Sequence, residues 1–484
     1  PMSTHGVGAS VLRKEDDRYL RGRGEFVGDI QLAGTRHVAF LRSPVAHGYL
    51  RNASIPNECR QQVFVADDLA AVAPIRAHST LPGFKSSDQP VLASGKVRHV
   101  GELIAMCVAD TRAEAEDIVD AIGVEIEELP VLSDMLAARE ADAPLVHEEW
   151  GDNVFLTTDF EQDLDPIIAR AAASVTRTIR TARQSMSPLE GRGVLARWDS
   201  RLEQLVVYTS TQQPHIVRTG LSECLGIEHA RIRVVAPDVG GGFGYKGILL
   251  PEEICLAWAA IKLGHPLKWL EDRRENLIAS SNCREHHYTI TVYGDANGRL
   301  LAIDAEATVD AGAYSSYPFS ACLEAAQVVS ILPGVYDLEG YRCRTYAVAT
   351  NKPPILPYRG VARCGVCTAL ELMVDALARE LAIEPTEVRF QSLIGPEQMP
   401  FNNITGKHFD SGDYPESLRQ VIDTIDLDSI RSRQQRGEAD GRRIGIGFAM
   451  YTEQGAHGTT VYANWGIPMV PGHEQCTARL TPDG

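Results

Sequence analysis

The stretch Val239-Gly-Gly-Gly-Phe-Gly-Tyr-Lys246 constrains this chain more than any other. It follows the apolar run Ile232 to Val235 and precedes a helix signal at Pro251. Glycines lack a Cβ, so the backbone here can approach a bound group closely. A helix starting just beyond offers unpaired N–H groups that favour an anion. The pattern predicts a loop holding a phosphorylated or oxo-bearing group.

One class of cofactor that fits is a dinucleotide. Gly242-Phe-Gly244-Tyr-Lys-Gly247 satisfies G-x-G-x-x-G. It lies between a strand and a helix, and a second apolar run, Leu267 to Leu270, ends in Glu271 and Asp272, where a ribose-binding acid would stand. Against it, Gly247 is followed by Ile-Leu-Leu-Pro, so the helix starts at Pro251 and the third glycine does not pack it onto the sheet. No second mononucleotide-binding half follows.

Periodicity predicts an α+β fold in two regions. Residues 1–155 mix short strands (His37 to Leu41, Val63 to Ala66, Leu103 to Val108) with a helix, Arg112 to Ile122, and end in a connecting loop, Pro144 to Asn153. In residues 156–484, strands are predicted at Leu205 to Tyr208, Ile232 to Val235, Leu267 to Leu270, His287 to Tyr293 and Leu300 to Val309. Helices are predicted at His215 to Leu225, Glu252 to Lys262, Thr368 to Ala382 and Tyr414 to Ile425. Gly294-Asp-Ala-Asn-Gly298 reads as a hairpin turn. Glu252 and Glu253, at a helix start, read as partners of the helix dipole.

The glycine segment resembles that of the molybdenum-binding subunit of the xanthine oxidase family. Other segments fit in the same order: Asp17-Arg-Tyr-Leu-Arg-Gly-Arg-Gly-Glu-Phe-Val-Gly-Asp29, Leu41-Arg-Ser-Pro-Val-Ala-His47, Val100-Gly-Glu-Leu-Ile-Ala105, Ser210-Thr-Gln-Gln-Pro-His215, Tyr358-Arg-Gly360 and Asp410-Ser-Gly-Asp-Tyr414. The resemblance implies a hammerhead-like domain over 1–155 and a molybdopterin-binding region over 156–484. It assigns Gln212, with Gln213 as the alternative, to the apical oxo group of the metal. It sets the backbone of Gly241, Gly242, Phe243 and Gly244 against cofactor oxygens, and Arg359 beside the cofactor. The cofactor would be molybdenum-bearing molybdopterin, as the cytosine dinucleotide, and the protein need supply no metal ligand. The family's pterin-binding Gly-Gln-Gly segment and its Val-Gly-Glu segment with the catalytic base do not occur before Gly484. The chain is therefore expected to be part of a split or truncated subunit with no catalytic base of its own. Expected partners are a second molybdopterin-binding chain, a 2Fe-2S small subunit and an FAD medium subunit.

Departures from the family narrow the substrate. Carbon monoxide dehydrogenases place a cysteine directly after the motif arginine, where this chain has Gly360, and the nearest cysteine is Cys364. Xanthine dehydrogenases place a glutamate after the lysine, where this chain has Gly247, and use an arginine in the segment corresponding to 315–338, which has none here. What remains is hydroxylation of a nitrogen heteroaromatic ring, or oxidation of an aldehyde. Tyr245 and Tyr358, with Tyr314, Tyr317 and Phe319, are candidates for an aromatic pocket wall.

The 484 residues carry 47 basic and 64 acidic side chains, a formal charge of −17, which opposes non-specific nucleic-acid binding. No apolar run reaches the length of a membrane span, and no secretory pattern opens the chain, so a cytoplasmic location is expected. Of ten cysteines, only Cys364-Gly-Val-Cys367 are closely spaced. A four-cysteine site needs a second such pair, so iron–sulfur clusters would belong to a partner, and Cys364 and Cys367 are expected to be buried. A nicotinamide-dependent dehydrogenase and a non-catalytic assembly protein are the two other classes the sequence leaves open.

Overall fold

Twelve strands carry the architecture of this computed structural model, which describes residues 6, 8–455, 457–470, 472 and 475–482. They are β1 (Arg36–Arg42), β2 (Val63–Val65), β3 (Leu103–Ala109), β4 (Val154–Phe160), β5 (Ala173–Thr181), β6 (Gly193–Asp199), β7 (Gln204–Thr209), β8 (Ile232–Val235), β9 (Leu267–Leu270), β10 (His286–Gly294), β11 (Leu300–Gly312) and β12 (Gly340–Ala349). The first sheet runs β8-β7-β6-β9-β1-β3-β2, and the second β4-β12-β11-β10-β5. A three-stranded sheet of Gly48–Ser54, Lys96–Val97 and Gly123–Glu128 accompanies them.

Hydrogen bonding crosses residue 155. Strand β1 pairs in parallel with β9 through Arg36↔Leu267 and His37↔Lys268, so strands from both predicted regions share the first sheet and one apolar core. That core takes Phe40, Met106, Leu205, Ile254, Leu256 and Trp269 from across the chain.

The helices form where the sequence supplies caps. In α1 (Arg112–Ala121), Thr111 accepts from Glu114 N while Glu114 accepts from Thr111 N, a reciprocal cap. Next come α2 (Pro214–Leu225) and α3 (Pro251–Leu263), which starts with Pro251 in its first turn and stops at left-handed Gly264. Helix α3 buries nearly every side chain against the first sheet, each large apolar one stabilising the fold by about 1.5–3 kcal/mol. The helices α4 (Arg273–Ala279), α5 (Leu323–Ile331) and α6 (Ala362–Leu381) follow, α5 and α6 packing on the second sheet.

Helix α6 starts six residues before the predicted Thr368. Gly365 permits this, because a Cβ there would lie 2.9 Å from both His286 Nδ1 and Tyr288 Oη beneath the first turn. The thiol expectation is corrected for Cys364, which is exposed on this turn, and Cys367 is half-buried. Strands β4, β5, β6 and β12 have no counterpart among the predictions; in β5 and β12, Thr and Arg interrupt the apolar residues and shorten every apolar run.

Charges are buried where the strands of the first sheet end. Arg192, just before β6, pairs with Glu252 (Nη2···Oε1 2.9 Å) and with Glu271 (Nε···Oε1 3.4 Å), and Arg42 adds Glu252 and Glu275, each at 3.1 Å. Burial alone would raise the Glu252 pKa, but Arg192 and Arg42 outweigh it and hold the carboxylate at about 2. Glu252 is thus an interior ion-pair partner more than a dipole partner. Glu253 forms no ion pair, and burial outweighs the pull of Arg192 and pushes it up to about 7 while it accepts from Leu250 N at 2.8 Å.

These opposite shifts set opposite pH windows. A depressed carboxylate contributes stability above its unfolded pKa and loses it as pH falls toward 2; a raised one costs stability above 7, and protonation relieves that cost as pH falls toward 4.5. Glu252→Gln is expected to destabilise the chain by about 3 kcal/mol in urea at pH 7 and to flatten the acid limb below pH 4.5. Glu253→Gln should instead remove the gain in stability between pH 7 and 4.5. An acid limb that Glu252→Gln leaves unaltered would show that its arginines do not govern that carboxylate.

Candidate functional site

The glycine loop is held from behind by one carboxylate. Glu190 Oε2 accepts from Gly240 N at 2.7 Å, from Lys246 Nζ at 2.7 Å and from Ser210 Oγ at 3.0 Å. Lys246 is fully buried, and burial lowers its pKa while Glu190 opposes the shift. One oxygen therefore ties both ends of the glycine loop to the strand exit that carries Gln212. Asp238, just upstream, receives Arg18 and Tyr19 side chains and Glu25 N at 2.8 Å; its bonds to Arg18 hold its carboxyl at about 2.

Gln212 links the loop to its neighbours. Its N–H donates to Lys246 O at 2.8 Å, and its Oε1 accepts from Gly244 N at 2.9 Å. The side chain lies over Gly242, and with Oε1 so engaged its exposed amide presents Nε2 as a donor. Gln213 instead stands at the N-cap position of α2 without a side-chain capping bond, its Oε1 buried and unbonded. Arg359 joins from the segment after β12: its N–H donates to Phe243 O at 2.8 Å, and Arg284 Nη2 donates to Arg359 O. Gly244, at φ +107°, has to be glycine, because a Cβ would overlap the Pro357 carbonyl. The Arg359 side chain is exposed and forms no ion pair among the described residues.

Three segments far apart in sequence thus form one patch of donors. The N–H groups of Gly241, Gly242 and Phe243 have no partner among the described residues, whereas those of Gly240 and Gly244 are bonded internally. Successive unbonded N–H groups in a glycine-rich turn suit an oxygen of an anionic group. Phe243 is held at φ +59°, unusual for a residue with a Cβ, and its ring stays 44% exposed. Tyr358 is half-buried, with the Arg284 guanidinium 4.1 Å above its ring.

Of the predicted pocket wall, only Tyr358 reaches this patch. Tyr245 is corrected to a core residue: its hydroxyl takes Arg192 Nε at 3.0 Å and donates to Glu271. Tyr314 is likewise buried, donating to Glu102 at 2.6 Å, and Tyr317 and Phe319 are buried in the core of the first sheet. The Cys364 Sγ lies 2.9 Å from where a Cβ of Gly360 would sit.

The dinucleotide arrangement is not built. The α3 N-terminus is occupied by its own acids, Glu253 on Leu250 N and Glu252 on two arginines. Glu271 is spent on Arg192, and Asp272 caps α4 by accepting from Glu275 N at 2.7 Å. Strands β8 and β9, which flank α3, are separated in the sheet by β7 and β6. Sequence reading missed Glu190 and Asp238; nothing local marks Glu190, whose partners lie 20, 50 and 56 residues away.

Comparison with known proteins gives the family and the fold. Residues 146–393 match the family model described as molybdopterin cofactor-binding domain, and residues 21–130 that of the aldehyde oxidase and xanthine dehydrogenase a/b hammerhead domain. The chain is 33% identical to the nicotine 6-hydroxylase large subunit of Paenarthrobacter nicotinovorans, covering 100% of this chain and 60% of that protein. It is 32% identical to the carbon monoxide dehydrogenase large chain of Hydrogenophaga pseudoflava, with 100% and 62% covered. The crystal structure of quinoline 2-oxidoreductase from Pseudomonas putida 86 superposes with a TM-score of 0.92 at 35% identity, over 97% of this chain and 60% of that one. The chain therefore spans about 60% of the length of these relatives.

Glu190→Gln keeps the shape of the clasp but leaves the Lys246 ammonium without its counter-charge, at an expected cost of about 3 kcal/mol in urea unfolding. Lys246→Met should cost a similar amount, and the double variant less than the sum of the two. Strictly additive losses would mean that the pair does not couple.

Proposed function

The chain belongs to the xanthine oxidase family, as a protein of its molybdopterin-binding large-subunit type, and we propose that it hydroxylates a nitrogen heteroaromatic ring with oxygen derived from water. When bound, the molybdenum cofactor would supply the oxidising centre and the oxygen that enters the substrate. The observation that carries this reading is the row of unbonded N–H groups at Gly241, Gly242 and Phe243 beside the outward amide of Gln212. Such donors fit a cofactor that brings its own metal ligands, because they bond oxygens and coordinate nothing.

Each residue then has a task. The glycine-loop amides would hold oxygens of the cofactor, and Gln212 Nε2 would donate to another of its oxygens. Arg359 adds positive charge beside the cofactor. Phe243 and Tyr358 give the substrate side apolar edges. Electrons leave to a 2Fe-2S subunit and an FAD subunit, the pterin is in the cytosine dinucleotide form, and a second molybdopterin-binding chain completes the site. Two relatives support the substrate class through their names, since nicotine and quinoline are both nitrogen heteroaromatics. An aldehyde is the alternative substrate, left open by Gly360 and Gly247 where other branches of the family carry a cysteine and a glutamate. Ten unpaired cysteines support a cytoplasmic site of action.

The test is purification from the native host, with metal analysis, partner identification and release of the pterin nucleotide. Stoichiometric molybdenum, a cytidine nucleotide and co-purifying iron–sulfur and flavin chains are expected, with ¹⁸O from labelled water entering a quinoline-type ring. Turnover of aldehydes alone would replace the substrate assignment, and a molybdenum-free complex with NAD bound would overturn the whole reading.

A further inference from the structure

One turn of helix beyond Arg359, Arg363 comes within electrostatic reach of Lys407 and His457, which share the Trp465 ring, and no matching anion faces them among the described residues. Arg363 lies in the first turn of α6, half-buried, and its guanidinium bonds nothing among the described residues. Lys407 stands in the turn between strands Phe401–Asn402 and His408–Phe409. There Asn403 Oδ1 accepts from its N–H at 2.8 Å, and its ammonium sits 5.6 Å from the centre of the Trp465 ring. His457 packs edge-on against the same ring at 4.9 Å and against Tyr462 at 5.8 Å, and its Nδ1 is buried without a partner.

Electrostatics marks the cluster as unfinished. Burial lowers the pKa of all three groups, and their mutual repulsion adds to it: Arg363 acts on Lys407, and both act on His457. Among the charged groups that act on them, Glu453 alone is acidic for Arg363 and His457 apart from the weak Cys364 thiol, and it is exposed. Proteins bury cations with a counter-charge, because desolvation is otherwise uncompensated. The donor set is also of one kind. A guanidinium offers a planar fork, an ammonium a point charge and an imidazole one further N–H, and the Trp465 ring lies against both Lys407 and His457.

We propose that Arg363, Lys407 and His457 bind a small oxyanion, a phosphate or carboxylate group. The site is built by this chain and stands whether or not a pterin binds at the glycine loop. Its position beside α6 lets the anion be either a free solute or the anionic end of a larger ligand.

The experiment uses the 484-residue chain free of cofactor, titrated at constant ionic strength with inorganic phosphate, diphosphate and acetate, with chloride as the control. Binding is read by calorimetry and by tryptophan fluorescence, with Trp465→Phe identifying the reporting ring. Saturable one-site binding of phosphate or diphosphate assigns a phosphate group, and preferential binding of acetate assigns a carboxylate. Arg363→Gln and Lys407→Gln should each weaken binding by about tenfold or more, because each removes a charge-assisted bond. Both should leave the thermal midpoint of the anion-free chain unchanged or raised, which removal of a structural ion-pair partner would not do. Absence of saturable binding of any of the three anions, or binding untouched by both substitutions, overturns the proposal.

Discussion

Everything exposed at the candidate site hangs on the Glu190 carboxylate and the buried Lys246 ammonium that faces it. A glycine-rich segment has little conformational preference of its own and loses the most entropy on ordering. Here a single oxygen takes the Gly240 amide, the Lys246 ammonium and the Ser210 hydroxyl, closing both ends of the loop onto the exit of β7. Gln212 then needs only its backbone N–H and Oε1 to complete the ring, leaving its amide nitrogen unbonded among the described residues. Because Lys246 is fully enclosed, it cannot trade Glu190 for water, and that makes the clasp selective for one loop conformation.

The same device recurs at a larger scale. Arg192 and Arg42 gather Glu252, Glu271 and Glu275 where β1, β6, β9 and α3 meet, locking the ends of the first sheet together. The price is that the α3 start and the acids after β9 are consumed internally. A sequence that formally reads as a dinucleotide fingerprint is thereby barred from acting as one. The loop presents donors, and the helix behind it presents none.

Periodicity carried much of the reading of elements. Strands 232–235 and 267–270 and the helix 414–425 fall where alternation and capping residues put them, and the turn at 294–298 joins β10 to β11. It failed where polar residues interrupt apolar ones, in β5 and β12, whose Thr and Arg side chains still tolerate a half-buried sheet. Tyr245 was misread because an aromatic next to a functional loop looks the same in sequence whether it faces out or in. Its direction follows from Arg192 and Glu271, 53 and 26 residues away. Cys364 was misread because its exposure depends on where α6 starts, and Gly365 against His286 decides that.

By itself, the sequence determined the local chemistry: which backbone could be bare, which strand and helix flank it, and which residues, Gln212 and Arg359 among them, belong to motifs of this family. Those are properties of short segments, fixed by side-chain volume, period and capping. Only the tertiary structure decided which N–H groups stay unbonded, which acids are spent inside, and that segments around 190, 210, 243 and 358 share one face. Such pairings join residues tens to more than a hundred positions apart, and burial sets their strength, so they have no signature in any single stretch of chain.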